Sequence, residues 1–132
     1  MHKYITKTLN RVSNLLFPIT CINCGCGLPE NDYLRICQKC FLKIELIKEH
    51  YCSKCGKFLP DGGEHCYSCR KKPLYHFEFI RSAGEFKGVL RELIHKFKYQ
   101  NKDYCDRIFG RLFENLLDKE KIMKEVDCVA AV

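Results

Sequence analysis

The sequence predicts a small α+β fold in which two metal-stapled cysteine modules stand in tandem, followed by two helices and a first core strand that open an α/β domain. Three observations carry this reading. Eight cysteines between positions 21 and 69 fall into four Cys-x-x-Cys pairs, the apolar residues after position 85 recur at helical spacing, and residues 126–132 form a short, largely apolar and β-branched run. The domain plan that follows is an N-terminal helix over 1–20, the paired cysteine modules over 21–72, and the start of the α/β domain over 73–132.

Residues 3–17 read as a helix, with Ile5, Leu9, Val12 and Leu16 on one stripe, Lys3, Lys7 and Arg11 off it, and Pro18 ending it. Such a basic amphipathic segment suits either an anionic membrane surface or the cap of a neighbouring domain. No apolar run approaches the length of about 18 residues needed to span a bilayer.

The cysteine pairs are Cys21/Cys24, Cys37/Cys40, Cys52/Cys55 and Cys66/Cys69. Two residues of separation let both sulfurs turn to one side of a tight turn and reach a common centre. Two such hairpins complete the tetrahedron that Zn²⁺ takes with thiolates. Glycine follows the first pair of each half, at Gly25 and Gly56, where the hairpin must free its amides to point at sulfur. The gaps favour sequential pairing, with Cys21, Cys24, Cys37 and Cys40 on one ion and Cys52, Cys55, Cys66 and Cys69 on a second; an interleaved arrangement also fits the spacing.

Four thiolates close the coordination sphere, so both ions are expected to be structural rather than catalytic. Iron at the same sites and disulfides are the competing readings. Disulfides need an oxidising compartment, and no signal-peptide pattern precedes the cysteines, so a reducing cytoplasm is expected. Cys26 is a spare thiol, while His50 and His65 abut ligand pairs that are already complete. The interval before Cys52 is too long for a RING-type cross-brace. Residues 21–72 contain few large aliphatics, so their folding is expected to depend on metal.

Residues 41–50 read as a connector, either a helical turn or a short strand, and residues 59–63 as a loop. The boundary falls at Lys71, Lys72 and Pro73. Residues 77–86 look like a strand or hairpin entry, after which the period changes. Phe86, Val89, Leu90, Leu93, Ile94 and Phe97 lie along one helical face, with Lys87, Arg91, His95 and Lys98 as a basic stripe away from it. Asn101 or Asp103 is placed to cap a second helix. That helix carries Tyr104, Cys105, Ile108, Phe109, Leu112, Phe113, Leu116 and Leu117 on a broad apolar face, with Gly110 allowing close packing. Cys105 reads as a core thiol.

The formal net charge of +7 counts thiols as neutral. Eight thiolates binding two Zn²⁺ lower it by about four, to roughly +3. This is a mild signal for a polyanionic partner. Arg70, Lys71, Lys72, Lys87, Arg91 and Lys98 are the candidate phosphate contacts. Tyr51, Phe58 and Tyr67, interspersed with Lys39, Lys43, Lys54 and Lys57, are aromatics on which bases could stack. A solvated surface is the plainer account of the same charges.

Taken together, Leu15-Leu16-Phe17-Pro18 before the first cysteine pair, the four pairs, residues 83–90 (AGEFKGVL), residues 93–99 (LIHKFKY) and residues 126–132 (VDCVAAV) resemble the N-terminal part of the ComF competence family. That resemblance implies a double zinc ribbon fused to a type I phosphoribosyltransferase-like domain. It further implies a cytoplasmic role in DNA uptake and natural transformation, with single-stranded DNA and a helicase-like protein as partners. The family's phosphoribosyl pyrophosphate loop, with its paired acids and Thr/Gly, has no counterpart among these 132 residues. No phosphoribosyl transfer is therefore expected of them and no catalytic residue is assigned; the alternative is a truncated form of such an enzyme.

Overall fold

The computed structural model describes residues 18–47, 49–72, 76, 78–120, 126–128 and 130. The expected N-terminal helix over 3–17 lies outside them, as does Pro73. In chain order the elements are α1 (Gln38–Phe41), α2 (Tyr67–Lys71), α3 (Gly88–Tyr99), a 3₁₀ turn (Asp103–Cys105) and α4 (Asp106–Lys119). No sheet forms among the described residues; strand pairing is confined to three isolated antiparallel bridges, Thr20 with Gly27, Leu46 with Gly84 and Tyr51 with Phe58.

The two cysteine modules are copies of one design. Each opens with a bridge across a Cys-x-x-Cys-Gly turn. The amide of the first cysteine donates to the carbonyl five residues on, Cys21 to Cys26 and Cys52 to Lys57, both at 2.8 Å. The glycine amide returns to the first cysteine's carbonyl, at 2.8 Å in Gly25 and 2.9 Å in Gly56. Both glycines hold a left-handed backbone, with φ of 74° and 69°, which side-chain-bearing residues adopt only under strain. The next residue ties to the far loop, Ile22 to the Arg35 carbonyl and Ser53 to the Glu64 carbonyl, each at 2.9 Å. A short helix, α1 or α2, then begins directly after the third cysteine.

The modules differ in what surrounds them. Cys21, Ile36, Cys40 and Ile44 of the first module are buried in one cluster with Val89, Leu90 and Leu93 of α3 and Cys105, Ile108 and Leu112 from the 3₁₀ turn and α4. The first module and the helical hairpin thus share a core. Lys96 of α3 reinforces it by donating its ammonium to the Ile22 carbonyl. The second module has no buried residue in α2, and its hydrogen bonds with later segments include those from the Tyr51 hydroxyl to Glu120, from Arg81 to the Ser53 carbonyl and from the Ile80 amide to the Lys54 carbonyl.

Residues 78–87 carry the chain from the second module to α3 without forming the expected strand. They form one bridge, at Gly84, where Ile47 donates to the Ala83 carbonyl at 3.3 Å and Glu85 to the Glu45 carbonyl at 2.9 Å, and upstream the Ile80 amide donates to the Lys54 carbonyl at 2.7 Å. Gly84 is obligatory, because a Cβ there would lie 2.9 Å from the Glu45 oxygen and 3.0 Å from Leu90 Cδ2.

The expected helical face holds at Val89, Leu90, Leu93 and Ile94, with Phe97 set edge-on to Phe109 at 5.4 Å. It does not extend to Phe86, which is 60% exposed, because α3 begins only at Gly88 in a left-handed conformation. Neither Asn101 nor Asp103 caps the next helix with its side chain. Asn101 instead takes a φ of 51° and turns the chain out of α3, and Asp106 Oδ1 accepts from the Arg107 amide.

Along the 3₁₀ turn and α4 the narrow stripe of Cys105, Ile108 and Leu112 is buried, while Phe113 and Leu117 are exposed. Gly110 makes no close packing, since a methyl group there would meet nothing within 4 Å. In the helix interior it costs about 1 kcal/mol relative to alanine.

Residues 126–128 and 130, expected to start a buried strand, are exposed and form none. An apolar run becomes a strand only beside another strand that satisfies its amides and carbonyls, and no sheet is present among the described residues to accept it.

Candidate metal centres

The sulfurs gather as two sets of four. Those of Cys21, Cys24, Cys37 and Cys40 lie within 4.8 Å of one another, and so do those of Cys52, Cys55, Cys66 and Cys69. The pairing is therefore sequential. Cys24 and Cys37 sulfurs are 3.7 Å apart, as are those of Cys55 and Cys66. Four thiolates bound to one ion at about 2.3 Å lie at the corners of a tetrahedron with edges of about 3.8 Å. The donor sets fit two structural Zn²⁺ ions, and the ions would complete the modules without offering an open coordination position.

The backbone prepares each site for thiolate. Burial opposes ionisation of Cys21 and Cys52, but amides outweigh it, from Cys24, Cys37 and Asn23 in one case and from Cys55, Cys66 and Lys54 in the other. They draw both thiols down to about 6. The Cys37 amide lies 3.3 Å from Cys21 Sγ. At Cys40 the Asn23 amide group, 3.2 Å from the sulfur, favours the thiolate, but burial and the three neighbouring thiols push it up to about 12. Burial followed by the neighbouring thiols does the same to Cys69. Four sulfurs this close cannot all carry charge until a cation joins them. Cys26 is exposed, and its hydrogen bond to Cys24, then desolvation, pushes it up to about 12, so it stands as a neutral donor beside a completed set.

A cluster that no local pattern announces ties the second module to α4. Arg81 lies with its guanidinium 5.0 Å from the Tyr51 ring centroid and 4.6 Å from that of Phe79. Its Nη1 donates to the Ser53 carbonyl at 2.8 Å. Its Nε is 3.2 Å from Glu120 Oε1, close enough for an ion pair but not aligned for a hydrogen bond. The Tyr51 hydroxyl donates to the same carboxylate oxygen at 2.9 Å, and this bond, with burial second, raises the phenol above its ordinary value. The signal is invisible in sequence because Tyr51, Arg81 and Glu120 come from three distant segments.

A raised folded-state value means that folding favours the neutral phenol. The bond's contribution is fully present below the ordinary phenol range and disappears as pH rises through the folded value. Tyr51→Phe should cost about 1–2 kcal/mol near neutrality, and the gap from the parent should close in alkali when melting is followed against pH. A gap that is constant to high pH would refute this assignment.

Of the candidate phosphate contacts, Arg70, Lys71 and Lys72 are exposed together at the end of α2, beside Tyr67, which is 65% exposed with the Lys71 ammonium 4.6 Å from its ring centroid. Arg91 and Lys98 are exposed on α3. Lys87 precedes that helix, and its ammonium is paired with Glu45 at 2.6 Å and Glu85 at 3.2 Å. Among the candidate aromatics, Tyr51 is engaged by Arg81 and Glu120, while Phe58 is only 36% exposed and paired across the turn. Among the described residues no helix is long and apolar enough to cross a membrane.

Residues 12–70 match the double zinc ribbon domain family. The chain is 32% identical over 99 residues to competence protein F of Haemophilus influenzae. That match covers 73% of this chain and 40% of the relative, so the chain spans less than half of that protein's length. No solved structure matches significantly.

Proposed function

The chain belongs to the ComF family of competence proteins, and from that premise we propose that it is a zinc-stabilised module that binds single-stranded DNA during DNA uptake in the cytoplasm. The observation that carries this reading is the end of α2. A metal-pinned helix only five residues long presents an exposed tyrosine with Arg70, Lys71 and Lys72 around it. An aromatic face flanked by cations suits an unpaired base and its phosphates whatever the sequence, since every base has a π-face and every nucleotide a charge. Arg91 and Lys98 of α3 supply a second exposed basic stretch; Lys87, paired with two carboxylates, is a poor phosphate contact. The family resemblance adds a helicase-like protein as a further proposed partner.

The test is the anisotropy of a labelled single-stranded oligonucleotide titrated with the zinc-loaded chain over a range of salt. Affinity should fall linearly on a log–log plot by about 0.7 per phosphate contacted, and Lys71→Gln and Lys72→Gln should each reduce that slope by roughly one contact. Salt-independent affinity, or no binding, would leave protein contacts as the function of this surface.

A further inference from the structure

Gly110 sits inside α4, on its exposed side, where no neighbour demands the absence of a side chain. Glycine weakens a helix there, and the sequence retains it without a packing reason. The space it leaves is the floor of an open groove of about 590 Å³, bounded by Tyr33 of the first module and by Asp106, Arg107, Arg111 and Glu114 of α4.

Tyr33 is 66% exposed at the edge of this groove. Arg107 holds it in place twice, with its guanidinium 4.3 Å from the ring centroid and its Nη1 donating to the Tyr33 carbonyl at 3.2 Å. Beyond the ring, Arg111 offers donors and is only loosely engaged by Glu114 at 3.3 Å, with both side chains more than half exposed. The Asp106 carboxylate accepts from the Arg107 amide through Oδ1. The groove thus combines a fixed flat surface, a glycine floor, and hydrogen-bonding groups of both kinds at its rim.

We propose that this groove takes one unpaired nucleobase of a single-stranded nucleic acid, stacked against the Tyr33–Arg107 pair, with Gly110 keeping room for the ring. Arg111 meets the adjoining phosphate, and the carboxylates of Asp106 and Glu114 face the polar edge of the base. A nucleobase fits this chemistry because it is planar, has a π-face for tyrosine or guanidinium, and carries donors and acceptors around its rim. A duplex hides both features. The inference rests on the reading of the chain as a binder of single strands and adds a contact on the first module, away from α2.

The chain contains no tryptophan, so Tyr33→Trp creates a single indole reporter that preserves stacking. The zinc-loaded full chain carrying it is titrated with a mixed-sequence single-stranded oligonucleotide and, separately, with the corresponding duplex. Indole emission should be quenched by the single strand, saturating where anisotropy saturates, and left unchanged by the duplex. Gly110→Leu, whose Cβ meets no neighbour, places a branched side chain in the groove and should weaken single-strand binding about tenfold while zinc content and helicity do not fall below parental values. Single-strand binding that leaves the indole unquenched, or is indifferent to Gly110→Leu, would overturn the groove while sparing the wider function. Equal quenching by duplex would also overturn base insertion, and absence of binding by the parent chain would remove both readings.

Discussion

Cys40→Ser should abolish the cooperative melt of the whole chain, whereas Cys69→Ser should remove one zinc ion and leave the helical hairpin folded. Each replacement takes a thiolate from a four-sulfur set, and structural zinc sites of this kind are worth about 10–16 kcal/mol in apparent binding. That is comparable with the entire stability of a small domain. The difference lies in the surroundings. Cys40 is 4% exposed in the cluster that also contains Leu93, Ile108 and Leu112, so losing the first metal dissolves one wall of the only extended apolar core among the described residues. Cys69 belongs to a module whose short helix buries nothing, and its ties to α4 run through Arg81, Tyr51 and Glu120. Zinc content by mass spectrometry, paired with helical ellipticity during heating, separates the two. A Cys40→Ser chain that still melts cooperatively at the parental temperature, or equal collapse of both variants, would contradict the asymmetry.

Gly56→Ala should cost about 2–5 kcal/mol and Gly25→Ala only about 1–2, although both glycines occupy the same place in the two modules. Either substitution forces a side chain into a left-handed backbone, at φ of 69° or 74°. At Gly25 the added methyl meets nothing within 4 Å, so conformational strain is the whole penalty. At Gly56 it would stand 2.7 Å from the Ile80 carbonyl oxygen and 3.2 Å from Arg81 Cα. The crossing segment would have to lift, breaking the 2.7 Å bond from the Ile80 amide to the Lys54 carbonyl and disturbing Arg81. Chemical denaturation of the two variants, both zinc-loaded, measures the difference. Equal penalties would mean that the crossing segment yields freely.

The metal sets were legible because chelation is a local matter. Two residues between cysteines, and a glycine after the first pair of each half, suffice to shape the turn without knowledge of the rest. Leu90, Leu93, Ile108 and Leu112 were likewise visible through helical periodicity, which survives wherever one side of a helix is buried. Phe86 was misplaced because periodicity does not register the left-handed Gly88 that delays the helix. The asymmetry between the modules was hidden altogether. It depends on which cysteine helix meets α3 and α4, and contacts such as Lys87 with Glu45 or Arg81 with Glu120 join segments about 40 positions apart along the chain. Residues 126–132 have the composition of a buried strand, but composition cannot supply a neighbouring strand, and among the described residues none stands beside 126–128 and 130.

The shared core also sets an order of events in time. All four thiols of the first set are in hand by residue 40, yet the apolar wall behind them arrives with Leu112, and Lys96 reaches back across 74 positions to the Ile22 carbonyl. Contacts this distant form late in folding, after the long intervening loop has been closed. During synthesis the first set of thiols is therefore expected to meet its ion before the apolar wall behind it exists. A chelator present during translation should compete more effectively for the first ion than one added to the finished protein.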